Sequence, residues 1–470
     1  MLAAILLAIP QVASARQSLR TGFTDDAVFR SAPVGDRLAG FRHVHAARGS
    51  VVRVFFSWAE LAPTPPPSRA VARNPAWAGY RWATLDRVVR ETNAAGLRLL
   101  VTISGAPRWA EGAGRPASAP PGSWRPSSPA FRDFAEAAAR RYSGGFAGLP
   151  RVRYWQGWNE PNLTDYLTPQ WTRRRGRLVP ASPGYYRGLL NSFYAGVKAG
   201  NGSNFVLTAG TAPFGDHRRG GRRMDPAYFT RALLCVSGRR RPRPVRCPGG
   251  PVRFDGLAHH PYPIGSPRRS ARHPDDVVVP DLGALTRPLR AAIRGGKVRP
   301  RRHKQLWATE MSWDTRPPDP TGIPLARHGQ YIQGAFYTLW RQGVNVVTWF
   351  LMRDQPRGQG YGFTLQSGVF FRGATVAQDR PKPSTFQAFS FPFTAYRKRG
   401  VAQLWGLAPS GGRVVIERRR GGRWRRFTSL RARGDRLFFA KRRIRRGTLL
   451  RARQGAETSL GWRVGPNETE

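Results

Sequence analysis

Acidic residues and lysine are both scarce in this chain. It has 27 Asp and Glu against 78 Lys and Arg, for a formal net charge of +51, and six of the basic residues are lysines: Lys198, Lys297, Lys304, Lys382, Lys398 and Lys441. The excess is therefore nearly all arginine, and it is spread from Arg16 to Arg463. Nucleic-acid binders gather their basic residues on one face or stripe, so this spread argues against that class. Two explanations stay open: a compositional bias towards arginine, and an acidic partner such as a uronate-bearing polysaccharide.

Cysteine is scarcer still, with only Cys235 and Cys247. No histidine stands at ligand spacing beside them, which argues against a metal site there. In an exported protein, two cysteines so close together favour a local disulfide, and two free thiols are the alternative. We predict a Cys235–Cys247 disulfide, and neither a metal nor a cofactor.

Long hydrophobic runs are absent as well. No stretch approaches the roughly 20 apolar residues of a membrane-spanning helix. A shorter apolar run from Leu2 to Ile9 precedes Ala13-Ser14-Ala15, which has the small-x-small pattern of a signal peptidase site, although no basic segment comes before the run. The sequence therefore predicts a signal peptide over residues 1–15 and a secreted chain that begins near Arg16.

A glycine-rich phosphate-binding motif after an early strand is also missing, which argues against a dinucleotide-binding fold. Instead, short apolar runs typical of strands alternate with amphipathic segments typical of helices. The predicted strands are residues 21–23, 50–56, 97–103, 152–158, 205–209, 254–259, 305–309 and 345–350, and the clearest helices are 82–95, 130–142, 183–199 and 326–342. Ser128-Pro129 and Ser182-Pro183 are predicted to supply the N-cap and first residue of two of these helices. Eight such units favour an α/β fold, the (β/α)8 barrel.

The pattern changes after Phe393. Short alternating runs separated by glycine-rich turns predict a small antiparallel β-domain that resembles a sandwich. The predicted organisation is a signal peptide (1–15), a barrel (16–398) and a β-domain with a tail (399–470).

Two glutamates stand where predicted strands end. Trp158-Asn159-Glu160-Pro161-Asn162 follows the fourth strand, and Thr309-Glu310 ends the seventh. Catalytic residues of such barrels lie at the carboxyl ends of the strands. Each glutamate alone has a plainer explanation, a charged turn residue for Glu160 and an ion-paired one for Glu310. Together they indicate the two carboxylates that glycosidases place on either side of a sugar bond.

These motifs resemble those of clan A glycoside hydrolases, which are barrels with catalytic glutamates after strands four and seven. The Trp158–Asn162 motif and the segment Gly105-Ala106-Pro107-Arg108-Trp109 are most similar to family thirty-nine, the β-xylosidase and iduronidase group, with family five as a neighbour. The resemblance covers roughly residues 20–390. It implies that Glu160 is the acid/base and Glu310 the nucleophile.

The resemblance also implies roles for residues around the two glutamates. Arg53, near the end of strand two, would keep the nucleophile ionised, although a surface arginine is the alternative. Asn159 would bind the sugar 2-hydroxyl. His260 and Tyr262 follow strand six, where the clan has a histidine and a tyrosine that bonds the nucleophile; for the histidine, a core residue with its hydrogen bonds satisfied is the alternative.

Tryptophans complete the expected site. Trp349 would form an aromatic platform under the sugar, because the C–H face of a pyranose is apolar, and a packed core tryptophan is the alternative. Trp109 and Trp313 would line outer subsites. One departure is that strand three ends in Ser104-Gly105, where family five has a histidine.

The sequence thus predicts a retaining O-glycosidase, acting on a plant or microbial polysaccharide or oligosaccharide with a β-linkage. Its expected partner is a carbohydrate, with an acidic polysaccharide as one alternative, and we expect a monomer that does not bind nucleic acid. Two other functions stay open: a carbohydrate-binding barrel without turnover, and an arginine-rich binder of nucleic acid or another polyanion.

Overall fold

The computed structural model describes residues 17–398 and 400–465, so the predicted signal peptide lies outside the described residues. Eight parallel strands close into a barrel, each beside its neighbours in the sequence and the first beside the eighth. Their bounds are Arg20–Thr24, Val51–Ser57, Arg98–Ser104, Tyr154–Gly157, Phe205–Leu207, Gly256–His259, Gln305–Ala308 and Val344–Phe350. The predicted (β/α)8 barrel is confirmed.

Alternate residues of these strands point in opposite directions, as the pleat requires. Inside the barrel, one buried layer is formed by Val51, Leu100, Leu207, Trp307 and Val346. Residues of the opposite parity pack outwards against the helices, as Phe23 does against Phe389. The inward positions nearest the carboxyl ends are left for polar side chains.

Helices follow most of the strands and cover the barrel. The α-helices are Val34–Ala46, Trp58–Leu61, Arg69–Ala72, Ala83–Ala94, Ser128–Arg141, Ser182–Gly200, Pro226–Leu233, Gly283–Arg294, Leu325–Arg341 and Pro383–Ser390. Short 3-10 or π turns are Ala27–Ser31, Arg108–Ala110, Val279–Asp281, Tyr361–Phe363 and Val376–Gln378. Among the described residues, no helix is both long and apolar enough to cross a membrane.

The predicted starts of two helices need correction. Ser127, not Ser128, caps the helix Ser128–Arg141, because its hydroxyl accepts from the Ala130 amide. Ala181 occupies the cap of Ser182–Gly200 without a side-chain bond, while the Ser182 hydroxyl donates to Gln170 Oε1 at 2.8 Å. A tertiary partner therefore replaces the local cap.

The C-terminal region forms two antiparallel sheets. One contains Phe393–Lys398, Val401–Leu407 and Leu437–Arg442, and the other is built on Gly412–Arg420, Arg423–Ala432 and Leu449–Gln454, with the short strands Glu457–Thr458 and Trp462–Arg463. Apolar side chains from both sheets form one buried cluster. The first strand of these sheets, Phe393–Lys398, follows the helix Pro383–Ser390 directly.

This β-domain packs against the barrel helix Leu325–Arg341. Tyr337 stacks on Tyr396 with ring centroids 4.7 Å apart, and Trp340 lies 5.9 Å from Trp405. The Tyr337 hydroxyl donates to Gln403 Oε1 at 2.9 Å. The contact is thus largely aromatic.

Cys235 and Cys247 form a disulfide in the loop region after the helix Pro226–Leu233, with their Cα atoms 5.2 Å apart. This separation lies within the usual range for a disulfide.

Candidate active site

Glu160 is held on an irregular backbone directly after the fourth strand. Trp158 and Glu160 have φ angles of 80° and 35°, a region that residues other than glycine rarely adopt. The Glu160 amide donates to the Gly210 carbonyl at 3.0 Å, and the Trp158 ring N–H donates to the Tyr166 carbonyl at 2.9 Å. Such conformations persist where the surroundings hold them, and they are concentrated at functional sites.

Arg53 connects the strands that carry the two glutamates. Its side chain is 1% exposed, and its Nη1 donates to Glu310 Oε1 at 2.6 Å. Its Nη2 donates to Asn159 Oδ1 at 3.0 Å, and its Nε donates to Gln156 Oε1 and Thr102 Oγ1, both at 2.9 Å. A buried guanidinium with this many partners has one orientation, and it delivers positive charge to the Glu310 carboxylate.

Tyr262 and His260 approach the carboxylates from the sixth strand. The Tyr262 hydroxyl donates to Glu310 Oε2 at 3.0 Å. His260 Nδ1 lies 2.8 Å from Glu160 Oε1 and 3.6 Å from Glu310 Oε2. One carboxylate oxygen of Glu160 lies within 4.8 Å of one of Glu310. The structure therefore brings together six of the predicted site residues: Arg53, Asn159, Glu160, His260, Tyr262 and Glu310.

The charges around Glu310 favour its ionised form. Burial acts to raise the pKa of Glu310, but the charges of His260 and Arg53, with hydrogen bonds from Arg53 and Tyr262, lower it below its ordinary value. Burial and the charge of Glu310 raise the pKa of Tyr262 well above its ordinary value, so this tyrosine keeps its proton and acts as a donor. Burial also raises the pKa of Asp26 to about 6. The charge of Arg53 acts to lower this pKa, and the charge of Glu310 acts to raise it.

Trp349 does not lie in the cleft, and its predicted role as a platform is corrected. It is fully buried, and its register opposite Phe23 points it outwards. Its ring packs 6.2 Å from Phe389, and its ring N–H donates to the Ser367 carbonyl. The neighbouring Phe350 is partly exposed and meets the Tyr262 ring edge-on at 6.5 Å.

The other two tryptophans are also held by the protein itself. Trp313 is 7% exposed, and its ring N–H donates to the Gly265 carbonyl at 2.8 Å. Trp109 donates to the Ala62 carbonyl and lines a cavity of about 340 Å³ over the helix Ser128–Arg141. The structure therefore does not join Trp109 or Trp313 to the glutamate pair.

The sequence interpretation missed several residues of the site. Gln156 comes two residues after Tyr154, which packs against the inner layer of the barrel, so strand alternation could have identified Gln156 as inward. Tyr166, whose pKa burial and the charge of Glu160 raise to about 12, contacts Asn159 from a loop that carries no motif. Gly210 lies against the His260 ring, and only the fold brings these two residues together.

Glu160, His260 and Glu310 form a group that could hold a metal ion. However, the Glu310 oxygens already accept from Arg53 and Tyr262, and a buried guanidinium beside a metal would oppose it. The arrangement suits two carboxylates that act on a substrate by proton transfer and by nucleophilic attack.

Solved structures share this architecture. A family 39 glycoside hydrolase from Bacteroides cellulosilyticus WH2 aligns with 92% of this chain and 82% of its own, at 15% identity and a TM-score of 0.55. A monomeric β-xylosidase from Caulobacter crescentus CB15 aligns with 92% and 96%, at 14% identity and a TM-score of 0.50. GH5_18 from Streptomyces cattleya, solved with GlcNAc, aligns with 80% and 79%, at 15% identity and a TM-score of 0.50. The chain has the fold of clan A glycoside hydrolases. The predicted resemblance is confirmed at the level of the fold.

Comparison with models of known protein families and with curated protein sequences gives no match.

Proposed function

We propose that this protein is a retaining O-glycoside hydrolase, with Glu310 as nucleophile and Glu160 as acid/base. The observation that carries the proposal is the pairing of these glutamates at the barrel mouth, with carboxylate oxygens within 4.8 Å and Arg53 bonded to Glu310. Carboxyl groups stand about 5–5.5 Å apart in retaining enzymes and about 6.5–9.5 Å apart in inverting ones. Oxygens of the two carboxylates within this limit are compatible with the shorter, retaining spacing.

Two displacements would complete the reaction. In the first, a Glu310 oxygen forms a bond to the anomeric carbon as the bond from that carbon to the leaving-group oxygen breaks. The leaving-group oxygen takes the proton of Glu160. In the second, Glu160 takes a proton from water, whose oxygen attacks the anomeric carbon and releases Glu310. Arg53 and Tyr262 hold Glu310 ionised for attack, and His260 orients Glu160.

The substrate is proposed from the chemistry of the site and from the neighbours. Because one solved neighbour is a β-xylosidase, an aryl β-xyloside is the first substrate to test, followed by the glucoside, galactoside and glucuronide. Exposed arginines on loops after the fifth and sixth strands, Arg218, Arg222, Arg269 and Arg272, support a search among acidic polysaccharides. A secreted monomer acting on plant or microbial polysaccharide remains our proposal.

Variants of the two glutamates test the proposal. Glu310→Ala should abolish turnover of every substrate, because no covalent intermediate forms. Glu160→Ala should impair natural glycosides severely but spare the first step with activated aryl glycosides, whose leaving groups need little proton assistance. Azide should then restore its turnover, since azide attacks without a general base.

Labelling and stereochemistry identify the nucleophile and the mechanism. A 2-fluoro glycoside of the accepted sugar should label Glu310, and NMR should show that the first product keeps its anomeric configuration. Inversion, or a label on another residue, would contradict the assignment. Sugar binding without turnover would support the carbohydrate-binding barrel, and salt-dependent DNA retention that Glu310→Gln leaves unchanged would support the polyanion binder.

A further inference from the structure

Two histidines and two aspartates meet on the carboxyl side of the barrel, outside the glutamate pair. His217 and Asp225 lie between the fifth strand and the helix Pro226–Leu233, and His273 and Asp276 lie in the loop after the sixth strand. One ligand atom from each residue lies within 4.8 Å of all the others. The two imidazole rings stack with centroids 3.9 Å apart. We call these four residues the His/Asp cluster.

The two carboxylates of the cluster differ from the neighbouring carboxylate of Asp275 in the residues with which they form ion pairs. Next to them, Asp275 forms two bonds to Arg231, at 2.8 and 2.7 Å. Asp225 and Asp276 instead form ion-pair contacts with His217 alone among the described residues, at 3.0 and 3.4 Å. In a chain with 78 Lys and Arg, two adjacent carboxylates without a guanidinium or ammonium partner leave a place for another cation.

Backbone contacts hold the cluster residues towards one another. The Gly215 amide donates to Asp276 Oδ1 at 3.0 Å, and the His217 amide donates to Asp225 Oδ1 at 3.1 Å. A Cβ at Gly215 would lie 1.8 Å from Asp225 Oδ1, so only glycine permits this approach. Such outer contacts orient the ligands of a metal site.

We propose that the His/Asp cluster binds one divalent transition-metal ion of the zinc class. Zinc takes four ligands in structural sites, drawn from imidazole nitrogens, carboxylate oxygens and thiolates. Calcium, in contrast, takes oxygen ligands alone. Two carboxylates would neutralise the charge of the ion, and the nearby Arg218, Arg269 and Arg272 are exposed to solvent, which screens their charges.

The ion would tie together two loops beside Glu160. The segment that carries His217 begins next to Gly210, whose carbonyl accepts from the Glu160 amide, and ends next to Met224, whose amide donates to the Asn162 carbonyl at 2.7 Å. Zinc at about 2.1 Å from each ligand requires neighbouring ligand atoms roughly 3.4 Å apart, so binding would draw the loops closer. This proposal does not depend on the glycosidase assignment, because it concerns metal binding alone.

Calorimetric titration of the chelator-treated full chain with Zn²⁺ tests the proposal. We expect one equivalent to bind, and His273→Gln and Asp276→Asn each to weaken the affinity at least tenfold. His303→Gln is the matched control, since His303 is an exposed histidine outside the cluster. Glu310→Gln is the second control, because it removes a carboxylate from the other group that could hold an ion.

Thermal unfolding with and without Zn²⁺ provides an independent measurement, and circular dichroism checks that each variant is folded. Zn²⁺ should raise the melting temperature of the wild type and of both controls, and should raise that of the two cluster variants by less at the same concentration. Absence of binding to the wild type would overturn the proposal, as would binding that Glu310→Gln abolishes and His273→Gln leaves intact. Equal competition by Ca²⁺ would overturn the assignment to the zinc class.

Discussion

A single glycine determines where the His260 ring can lie. A Cβ at residue 210 would lie 2.0 Å from His260 Nε2, and His260 is fully buried, so the ring would have to leave its present position beside Glu160. We expect Gly210→Ala to lower kcat/KM by about tenfold to a hundredfold while the fold is retained, since small displacements at a reacting group have such effects. Gly202→Ala is the control, because no atom lies within 4 Å of its added Cβ. An unchanged kcat/KM would show that the ring position does not matter.

Arg53 sets the lower pH limit expected for activity. Because Arg53 lowers the pKa of Glu310, the carboxylate stays ionised at pH values below its ordinary range. In Arg53→Met that pKa rises, so we expect the acidic limb of kcat/KM to move to higher pH by roughly one unit or more. The measurement is the pH profile with an activated aryl glycoside.

Tyr262→Phe removes one hydrogen bond to Glu310 and no charge. The acidic limb of its kcat/KM profile should therefore move to higher pH by less than that of Arg53→Met. If the acidic limb of Arg53→Met coincided with that of the wild type, Arg53 would not control the ionisation of Glu310.

At the scale of elements, the parity of the eighth strand separates two adjacent aromatic residues. Trp349 faces the helices and is fully buried, whereas Phe350 faces the barrel mouth. We expect Trp349→Leu to lower the free energy of unfolding by about 2–4 kcal/mol, through lost contacts and a cavity, with little change in KM of the folded protein. Phe350→Ala should raise KM with a smaller loss of stability. Denaturant unfolding and steady-state kinetics distinguish the two, and the opposite pattern would restore Trp349 as the sugar platform.

The strands and helices also show which local signals in the sequence were sufficient to predict secondary structure. All eight strands were predicted because apolar runs of the right length recur between helical segments. The predicted cap of the helix Ser128–Arg141 was wrong by one residue, because both Ser127 and Ser128 precede Pro129 and either type of position can cap. Trp349 was assigned to the cleft from its place at a strand end, although one residue of register reverses the face of a strand.

For the whole molecule, the net charge of +51 predicts a dependence of stability on salt. A charge so far from zero destabilises the compact state through self-repulsion, and salt screens it, with a Debye length of about 10 Å at 0.1 M. We expect the melting temperature to rise as NaCl is raised from about 0.01 to 0.15 M. An uncharged osmolyte at equal osmolality is the control. A melting temperature that is constant or falls over this range would mean that local ion pairs, which salt weakens, outweigh the repulsion.

The sequence by itself determined the barrel, the C-terminal β-domain and the two glutamates. Strand and helix periodicities are local properties, and a carboxylate that directly follows an apolar strand is visible without any tertiary contact. Arg53, His260 and Tyr262 were named from the resemblance, and the tertiary structure joined them to Glu160 and Glu310 by measured contacts.

Only the tertiary structure decided which residues far apart in the sequence contact one another at the site. Gly210 meets His260, Tyr166 meets Asn159, and the His/Asp cluster joins two loops. It also placed Trp349 in the core. The physical reason is that these contacts depend on how barrel strands pair and how their loops fold over the mouth, and no periodicity or short motif in the chain records that geometry.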